Sequence, residues 1–256
     1  MKLLMATSYN GIIDIETNCP KVRACFTSRH GGFSDKPYDS FNLGLHVGDS
    51  PEKVRLNRGK LEEHLGRPVL FMNQTHSDVV VKVDDRLEVS PDSIGIHADG
   101  LVTASKETAV AVLTADCLPL LLWSEDGLAA AAVHCGWRGL ASGIVSNAVK
   151  LMKEWSNAGI RGFIGPCIGP SSFEVGADVL KAFQKILYDV KTEFSPKGND
   201  KYLGSLPDLC IRVLNSLGVS EITCCGIDTY SSNHDFFSYR KEKNTSLTCR
   251  SHRFQV

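Results

Sequence analysis

The sequence predicts an α+β fold with mixed or antiparallel sheets. Many short runs are rich in β-branched residues and bounded by Gly, Pro, Asp or Ser, which is the pattern of strands. These runs cluster in the middle of the chain and do not alternate strictly with helical segments, which disfavours a doubly wound parallel sheet. The predicted strands are residues 12–16, 22–27, 69–72, 79–83, 100–103, 109–113, 118–123, 128–134, 161–164 and 221–225.

Helical periodicity appears in four stretches. Before the first of them, Ser50 can cap the helix and Pro51 suits its first turn. The segment 191–203 contains Pro and Gly and is predicted to be a surface loop rather than a boundary, within a single domain that spans residues 1–256. The apolar residues at helical spacing are Val54, Leu61 and Leu65; Leu140, Ile144, Ala148, Leu151 and Trp155; Val179, Phe183, Ile186 and Leu187; and Leu206, Leu209, Val213, Leu214 and Leu217.

Composition and charge exclude several classes of protein. The 256 residues are 43% hydrophobic and 22% charged, as in ordinary globular proteins. The net charge of -1 provides no overall attraction to nucleic acid or anionic lipid. No apolar stretch reaches the ~20 residues of a membrane-spanning helix, and no apolar signal segment follows Met1. We therefore expect neither a nucleic acid nor a membrane as a partner.

Cysteine is the unusual residue type in this chain, with nine copies. The number is odd, the spacings form no framework, and several cysteines lie inside apolar runs. A disulfide scaffold is therefore disfavoured, and reduced thiols in a cytoplasmic protein are expected. Most of these thiols are interpreted as small buried hydrophobic groups.

Three segments place a metal-binding side chain at a turn or a strand end. His76 lies between two apolar runs, Cys117 lies where polar residues interrupt an apolar stretch, and His134 ends a predicted strand. Two imidazoles and one thiolate suit a tetrahedral Zn²⁺ whose fourth position is open, as in catalytic zinc sites. Each residue taken alone also fits a turn histidine or a core cysteine, and sequence spacing does not show that the three converge.

Six motifs occur in an order that resembles the YfiH family. That family has also been called the multicopper polyphenol oxidoreductase or laccase-domain family, and its members are described as purine nucleoside phosphorylases. The resemblance extends from about Arg23 to the C-terminus. It implies a compact single domain with two packed mixed β-sheets flanked by helices. The six motifs are residues 73–78, 98–103, 114–119, 134–139, 164–169 and 236–240, accompanied by residues 28–34 and 40–44.

The resemblance implies a zinc site and an activity. His76, Cys117 and His134 would be the metal ligands and also the catalytic residues. The implied reaction is phosphorolysis of adenosine, inosine or 5'-methylthioadenosine, with phosphate as co-substrate and adenosine deamination as a second activity. We expect a monomer or a homodimer whose partners are a purine nucleoside and phosphate.

Six further residues are candidates for binding the substrates. Arginine guanidinium groups match phosphate oxygens in bidentate geometry, and side-chain amides can hydrogen-bond a base or a ribose. Each of these residues can instead form an ion pair or build a turn. The phosphate candidates are Arg29, Arg138 and Arg240, and the nucleoside candidates are Asn42, Asn73 and Gln74.

Three alternative activities remain open at this point. Copper could replace zinc, as in a laccase-like polyphenol oxidase, although the chain has eight histidines and no His-x-His pair. The nucleic-acid deaminases carry His-x-Glu and Pro-Cys-x-x-Cys, which are both absent here, so deamination would need a different site. Cys117 could also act as the nucleophile of a cysteine hydrolase, activated by a neighbouring histidine.

The chain departs from the family pattern at three positions. Asp228 stands where many members have Cys, Cys249 stands where a terminal Gly is usual, and Cys135 follows His134 where Ala is frequent. The three expected metal ligands are unchanged. These departures therefore bear on substrate preference and on the C-terminal region.

Overall fold

The computed structural model describes residues 5–84 and 95–242. Within these ranges the chain is an α+β protein with four sheets and five helices, which confirms the predicted class. The extent of the single domain over residues 1–256 stays a prediction. The helices are α1 (Pro51–Leu65), α2 (Trp137–Ser142), α3 (Ile144–Met152), α4 (Ala177–Gln184) and α5 (Leu206–Ser216). The strands are β1 (Met5–Tyr9), β2 (Ile12–Ile15), β3 (Ala24–Thr27), β4 (Val69–Leu70), β5 (Val80–Val83), β6 (Gly100–Thr103), β7 (Ala109–Val110), β8 (Leu118–Ser124), β9 (Ala130–Cys135), β10 (Ile160–Ile164), β11 (Glu174–Gly176), β12 (Phe194–Gly198), β13 (Lys201–Gly204) and β14 (Glu221–Cys224).

The central sheet has six strands in the order β14-β10-β8-β9-β6-β5. It is mixed, because β10 pairs with β14 and β5 pairs with β6 in parallel, whereas the other three pairings are antiparallel. The smaller sheets are β1-β2-β3, β11-β13-β12 and the parallel pair β4-β7. The strands of the described residues are thus divided among four sheets, whereas two packed mixed sheets were expected.

Side chains of β8 alternate between two cores, because successive residues of a strand point to opposite faces of the sheet. Leu118, Leu120 and Leu122 belong to the main core, which also contains buried residues of the helices α2 to α5. Trp123 belongs to a second core with Phe163 of β10 and residues of the β1-β2-β3 sheet. The central sheet is therefore covered on both faces, and the ends of its strands are left to carry a site.

The predicted apolar stripe of residues 140–155 is divided between two helices. Gly143 ends α2 at φ 100°, and its N–H donates to the carbonyl groups of Gly139 and Leu140, as in a left-handed C-cap. The next helix, α3, begins immediately at Ile144 and ends at Met152, before the last residue of the stripe. Spacing did not reveal the break because both helices bury residues of the same stripe.

The segment 191–203, predicted to be a surface loop, contains most of a β-hairpin formed by β12 and β13. The turn residues Gly198, Asn199 and Asp200 all have positive φ, at 90°, 51° and 55°. Pro196 is accommodated because β12 is an edge strand, so its missing N–H interrupts no interior ladder. An edge strand and its turn can have the Pro- and Gly-containing composition of a loop, which explains why a loop was predicted where the structure has a hairpin.

The eight cysteines in the described ranges are all free, and Cys249 lies outside those ranges. None of the described helices is long and apolar enough to cross a membrane.

Candidate metal centre

The site is built around Asp99, a fully buried carboxylate directly before β6. Its oxygens accept hydrogen bonds from the backbone N–H groups of Thr75, His76 and Ser77 at 3.1, 2.9 and 2.6 Å. The Ser77 hydroxyl donates to the same carboxylate at 2.7 Å, and Nδ1 of His134 lies 2.8 Å from it. This single carboxylate therefore holds the loop that carries His76 and orients the ring of His134.

The two histidines come from different elements. His134 is near the end of β9, and its backbone N–H donates to the carbonyl of Asp99 at 2.7 Å. Because Nδ1 of His134 contacts Asp99, its Nε2 is available to a metal, as in many metal-binding histidines. His76 lies in a loop at φ 61°, and its ring meets that of His134 edge-on, with centroids 4.8 Å apart.

Cys117 immediately precedes β8, the neighbour of β9 in the central sheet. Its Sγ lies 3.8 Å from Nε2 of His76, and the ligand atoms of His76, Cys117 and His134 all lie within 4.8 Å of one another. Zinc bonds to nitrogen and sulfur are ~2.0–2.3 Å long, so the ligand atoms around one tetrahedral ion lie about 3.3–3.8 Å apart. Side-chain shifts of under about 1 Å would bring these three atoms to that spacing.

The chemistry of this donor set fits Zn²⁺. Two imidazole nitrogens and a thiolate are standard zinc ligands, and a buried carboxylate already supports one imidazole. Gly136 leaves room between the three side chains. A Cβ at this position would lie 3.0 Å from Cδ2 of His76, 3.3 Å from Sγ of Cys117 and 3.6 Å from Cε1 of His134.

We expect Gly136→Ala to weaken zinc binding about ten-fold, because the added methyl group displaces the ligands whereas the backbone can adopt this conformation. The backbone at Gly136 has φ -60° and ψ 154°, which alanine tolerates. Gly59→Ala is the matched control, since its added Cβ would meet no atom within 4 Å beyond its chain neighbours and the backbone of its own helix. Competition with a chromophoric chelator measures the affinities. Equal affinities of Gly136→Ala and the wild-type protein would contradict the expectation.

Charges within the site shift the pKa values of the ligands. Burial would raise the pKa of Cys117, but His134 and His76 favour the thiolate and lower it to about 6. Burial would lower the pKa of His134, but Cys117 and Asp99 favour the imidazolium and raise it to about 9. The pKa of Asp99 lies well below its usual range: its burial is outweighed by hydrogen bonds from His134 and Ser77. At neutral pH the metal-free site therefore holds a thiolate beside an imidazolium.

Zinc binding is expected to tighten as the pH rises towards 9. Only a neutral imidazole binds a metal, so His134, with its pKa raised to about 9, must release a proton, whereas Cys117 is already a thiolate above about pH 6. The apparent affinity should therefore rise about ten-fold per pH unit between these two values. Calorimetric titration at several pH values measures the slope, and a flat profile would contradict this assignment of protons.

The three candidate ligands line a cavity of about 1280 Å³. This volume exceeds the ~300–1,000 Å³ of most small-molecule sites, so a nucleoside together with a small anion would fit. Phe236, Phe237 and Tyr239 of the C-terminal segment form an aromatic part of the wall. Among the predicted substrate residues, Asn42, Gln74 and Arg138 line this cavity.

Arg138 and Arg29 differ in what their guanidinium groups contact. Arg138 is exposed at the cavity wall and stacks over the ring of Trp137 at 4.4 Å. Arg29 is buried and is not itself among the described residues that line the cavity, and its side chain is engaged by protein partners. It donates to the carbonyl groups of Asp39 and Asn233, forms an ion pair with Glu242 and lies over the ring of Phe237.

The remaining predicted residues use their polar groups within the protein. Asn42 is buried and bonds to both the N–H and the C=O of Gly44, and Gln74 bonds to both backbone groups of Leu113. Asn73 is exposed beside His97, and the side chain of Arg240 donates to the carbonyl of Glu174 at 3.1 Å. Neither Asn73 nor Arg240 is among the described residues that line the cavity.

Sequence reasoning missed the role of Asp99. Its motif was recognised, but no function was assigned to the carboxylate. The available signal was a charged residue directly before the apolar run of residues 100–103, a position where a carboxylate becomes buried and needs partners.

The His₂Cys cluster, the carboxylate behind it and the cavity define an α+β protein with a candidate metal centre. Residues 23–252 match the family described as multi-copper polyphenol oxidoreductase laccase. The chain is 38% identical over 226 residues to the purine nucleoside phosphorylase YfiH of Shigella flexneri, covering 88% of this chain and 90% of that protein. It is 37% identical over 233 residues to a purine nucleoside phosphorylase of Haemophilus influenzae, covering 89% and 93%.

Solved structures agree with these sequence relatives. A Neisseria meningitidis protein superposes with a TM-score of 0.81 at 37% identity, covering 90% of this chain and 93% of that one. A Bacillus licheniformis hypothetical protein YfiH superposes with a TM-score of 0.88 at 29% identity, covering 94% and 95%. The chain belongs to the YfiH family.

Proposed function

We propose that this protein is a zinc-dependent purine nucleoside phosphorylase. The observation that carries the proposal is the convergence of His76, Cys117 and His134 beside a cavity with Arg138 at its wall. The names of the relatives in Shigella flexneri and Haemophilus influenzae support the same activity. The proposed substrates are adenosine, inosine and 5'-methylthioadenosine, with phosphate as co-substrate. The free thiols of the described residues support a reducing, cytoplasmic location.

The proposed metal is Zn²⁺, with copper as the alternative. When bound, zinc supplies Lewis-acid chemistry at a fourth position open to phosphate, water or substrate. The residues of the chain hold this site: Asp99 keeps His134 in the tautomer that presents Nε2, and the 75–77 loop carries His76. A copper-dependent polyphenol oxidase would also draw on a His₂Cys set, and metal analysis of the purified protein distinguishes the two.

Arg138 is proposed to bind the phosphate. It is exposed at the cavity wall, and its guanidinium forms no ion pair with any carboxylate in the described part of the chain. Stacking on Trp137 restrains the side chain without using its donors. A guanidinium in this state can offer two parallel N–H groups to phosphate.

Arg138→Ala is expected to raise the KM for phosphate about ten-fold, because a charge-assisted bidentate contact is lost. The KM for the nucleoside should change little. Arg161→Ala is the matched control, since Arg161 pairs with Glu125 and Glu221 and does not line the cavity. Steady-state kinetics with varied phosphate measure the effect. An unchanged KM for phosphate would exclude Arg138 as the anion site.

The nucleoside is proposed to lie against the aromatic wall formed by Phe236, Phe237 and Tyr239. Aromatic rings stack on the flat face of a purine, with base stacking worth ~1–3 kcal/mol in single-stranded nucleic-acid complexes. Asn42 and Gln74 hold neighbouring segments of the wall through their paired backbone contacts. Their contribution would thus be to the shape of the cavity.

The deciding experiment is incubation with adenosine in the presence and absence of phosphate. Adenine and ribose 1-phosphate should appear only when phosphate is present, and inosine and 5'-methylthioadenosine should react in the same way. Release of ammonia from adenosine tests the proposed second activity, adenosine deamination. Release of adenine at the same rate without phosphate would overturn phosphorolysis in favour of hydrolysis.

A cysteine hydrolase is the second candidate function. The observation that favours it is the distance of 3.8 Å between Sγ of Cys117 and Nε2 of His76; His134 and His76 also lower the pKa of Cys117 to about 6 against the opposing effect of burial. A thiolate beside a histidine is the arrangement of a cysteine nucleophile. This alternative predicts turnover that survives chelation of metal and is lost on alkylation of Cys117, whereas the phosphorylase is inactivated by chelation and recovers when zinc is returned.

A further inference from the structure

Asp116 connects three separate segments at the edge of the candidate metal centre. One carboxylate oxygen accepts a hydrogen bond from the hydroxyl of Thr229 at 2.7 Å, and the other accepts from the backbone N–H of Arg240 at 2.6 Å. The carbonyl of Asp116 accepts from the N–H of Ile168 at 2.9 Å. Every acceptor of this residue is thus directed at a different part of the chain.

The backbone of Asp116 is also unusual. Its φ is 89° although it is not glycine, and the residue is only 8% exposed. Such a conformation persists when surrounding contacts determine it. The next residue is the candidate ligand Cys117, so the position of its Sγ depends on the backbone conformation of Asp116.

The segment held by Asp116 carries the aromatic wall of the cavity. Tyr239 and Phe237 line the cavity directly before Arg240, and Thr229 lines it as well. Arg240 is anchored at two points, because its N–H contacts Asp116 whereas its guanidinium donates to the carbonyl of Glu174. The aromatic wall and the metal ligand are therefore linked through a single carboxylate.

We propose that Asp116 is a positioning residue that sets the aromatic wall of Phe236, Phe237 and Tyr239 at a defined distance from Cys117. This inference rests on the proposed function only for its kinetic consequence, which is the placement of the nucleoside against the metal centre. The structural consequence, protection of the amide of Arg240, holds whatever the reaction is. Asp116 itself reaches its partners through its carboxylate and does not line the cavity.

The test compares Asp116→Asn with Asp126→Asn in the full-length, zinc-loaded protein. Asparagine tolerates positive φ but is neutral and has one carbonyl oxygen, so the hydrogen bonds from Thr229 and Arg240, which reach different oxygens of Asp116, lose their charged acceptor. Asp126 accepts from Ser156 and Leu128 and does not line the cavity, so the same chemical change there is the control.

Hydrogen exchange followed by mass spectrometry, without substrate, is the first readout. Exchange in a peptide covering residues 236–240 should accelerate about ten-fold or more in Asp116→Asn, because a hydrogen bond to a charged acceptor is lost. It should not change in Asp126→Asn, and zinc content should stay within about two-fold of the wild-type value in both, since all three ligands remain. Unchanged exchange in Asp116→Asn would overturn the proposal, whether or not the enzyme proves to be a phosphorylase.

The kinetic readout separates positioning from general destabilisation. The KM for the nucleoside should rise at least about five-fold in Asp116→Asn while the KM for phosphate stays near its wild-type value, because only the aromatic wall moves. Thr229→Val is the second variant: it removes one donor, leaves the backbone of Asp116 intact and should shift the same two readouts in the same direction by a smaller factor. Equal changes in both KM values would indicate a merely structural role and overturn the proposal.

Discussion

Cys117→Ser is expected to remove both the proposed zinc binding and the proposed phosphorolysis activity. A serine hydroxyl stays protonated at neutral pH, so the site would lose its only thiolate and keep two imidazoles. We expect zinc content to fall below about a tenth of the wild-type value, and turnover to fall at least about a hundred-fold, since losing a ligand should exceed the 10–100-fold effect of changing a residue that supports one. Elemental analysis and product assays measure the two losses. His76→Ala should behave in the same way.

The matched control is Cys224→Ser. Cys224 is half-buried on β14, at an edge of the central sheet, and it is not part of the ligand cluster. Its substitution should leave zinc content unchanged. If Cys117→Ser retained both zinc and turnover, the ligand assignment would be wrong. If it retained zinc and lost turnover, Cys117 would instead be the nucleophile of a cysteine hydrolase.

Asp99→Asn is expected to cause the largest loss of stability among the single substitutions considered. The carboxylate is fully buried and contacts five donors of the loop as well as His134. An asparagine would direct its NH₂ group at some of these donors, and those donors would lose their acceptor. The free energy of unfolding should fall by about 3 kcal/mol or more, which corresponds to roughly 6–12 °C in melting temperature for a chain of this size.

Asp99→Asn should also change the affinity for zinc and the stability of the fold in acid. Loss of the carboxylate behind a metal-binding histidine typically costs ~10–100-fold in metal affinity. Because the pKa of Asp99 is held below its usual range, the carboxylate stabilises the fold above about pH 4, and this stabilisation is lost as the pH falls through the lowered pKa. The variant should therefore show a weaker dependence of stability on pH in acid. A melting temperature within about 2 °C of the wild-type value would contradict this account of the site.

The elements of the fold were predicted where the pattern of burial is local. The strand β6 was predicted with the bounds it has, and Ser50 does cap α1 by accepting from the N–H of Lys53. The break at Gly143 and the hairpin after Val190 were not predicted. The local composition fits one helix or two around Gly143, and a loop or a hairpin in residues 191–203. Packing against distant residues selects between these structures.

The candidate ligands were predicted because each places a group that binds metals at a turn or a strand end, and because the motifs resemble those of the YfiH family. Their convergence was not predictable from spacing, since His76 and Cys117 are 41 positions apart in the sequence. The phosphate candidates show the same limit. Arg138 and Arg29 are equivalent as residue types, yet one is exposed at the cavity wall and the other is engaged by Asp39, Asn233 and Glu242.

The sequence by itself was enough to predict the class of the fold, to identify three side chains of types that bind zinc and, through its motifs, to indicate the family. The tertiary structure decided that those side chains meet, that Asp99 organises them and that Asp116 joins them to the aromatic wall. The physical reason is that hydrophobic periodicity and donor chemistry are properties of short segments. Hydrogen bonds between segments 22 to 124 positions apart, by contrast, exist only after strand register and turns have brought them together.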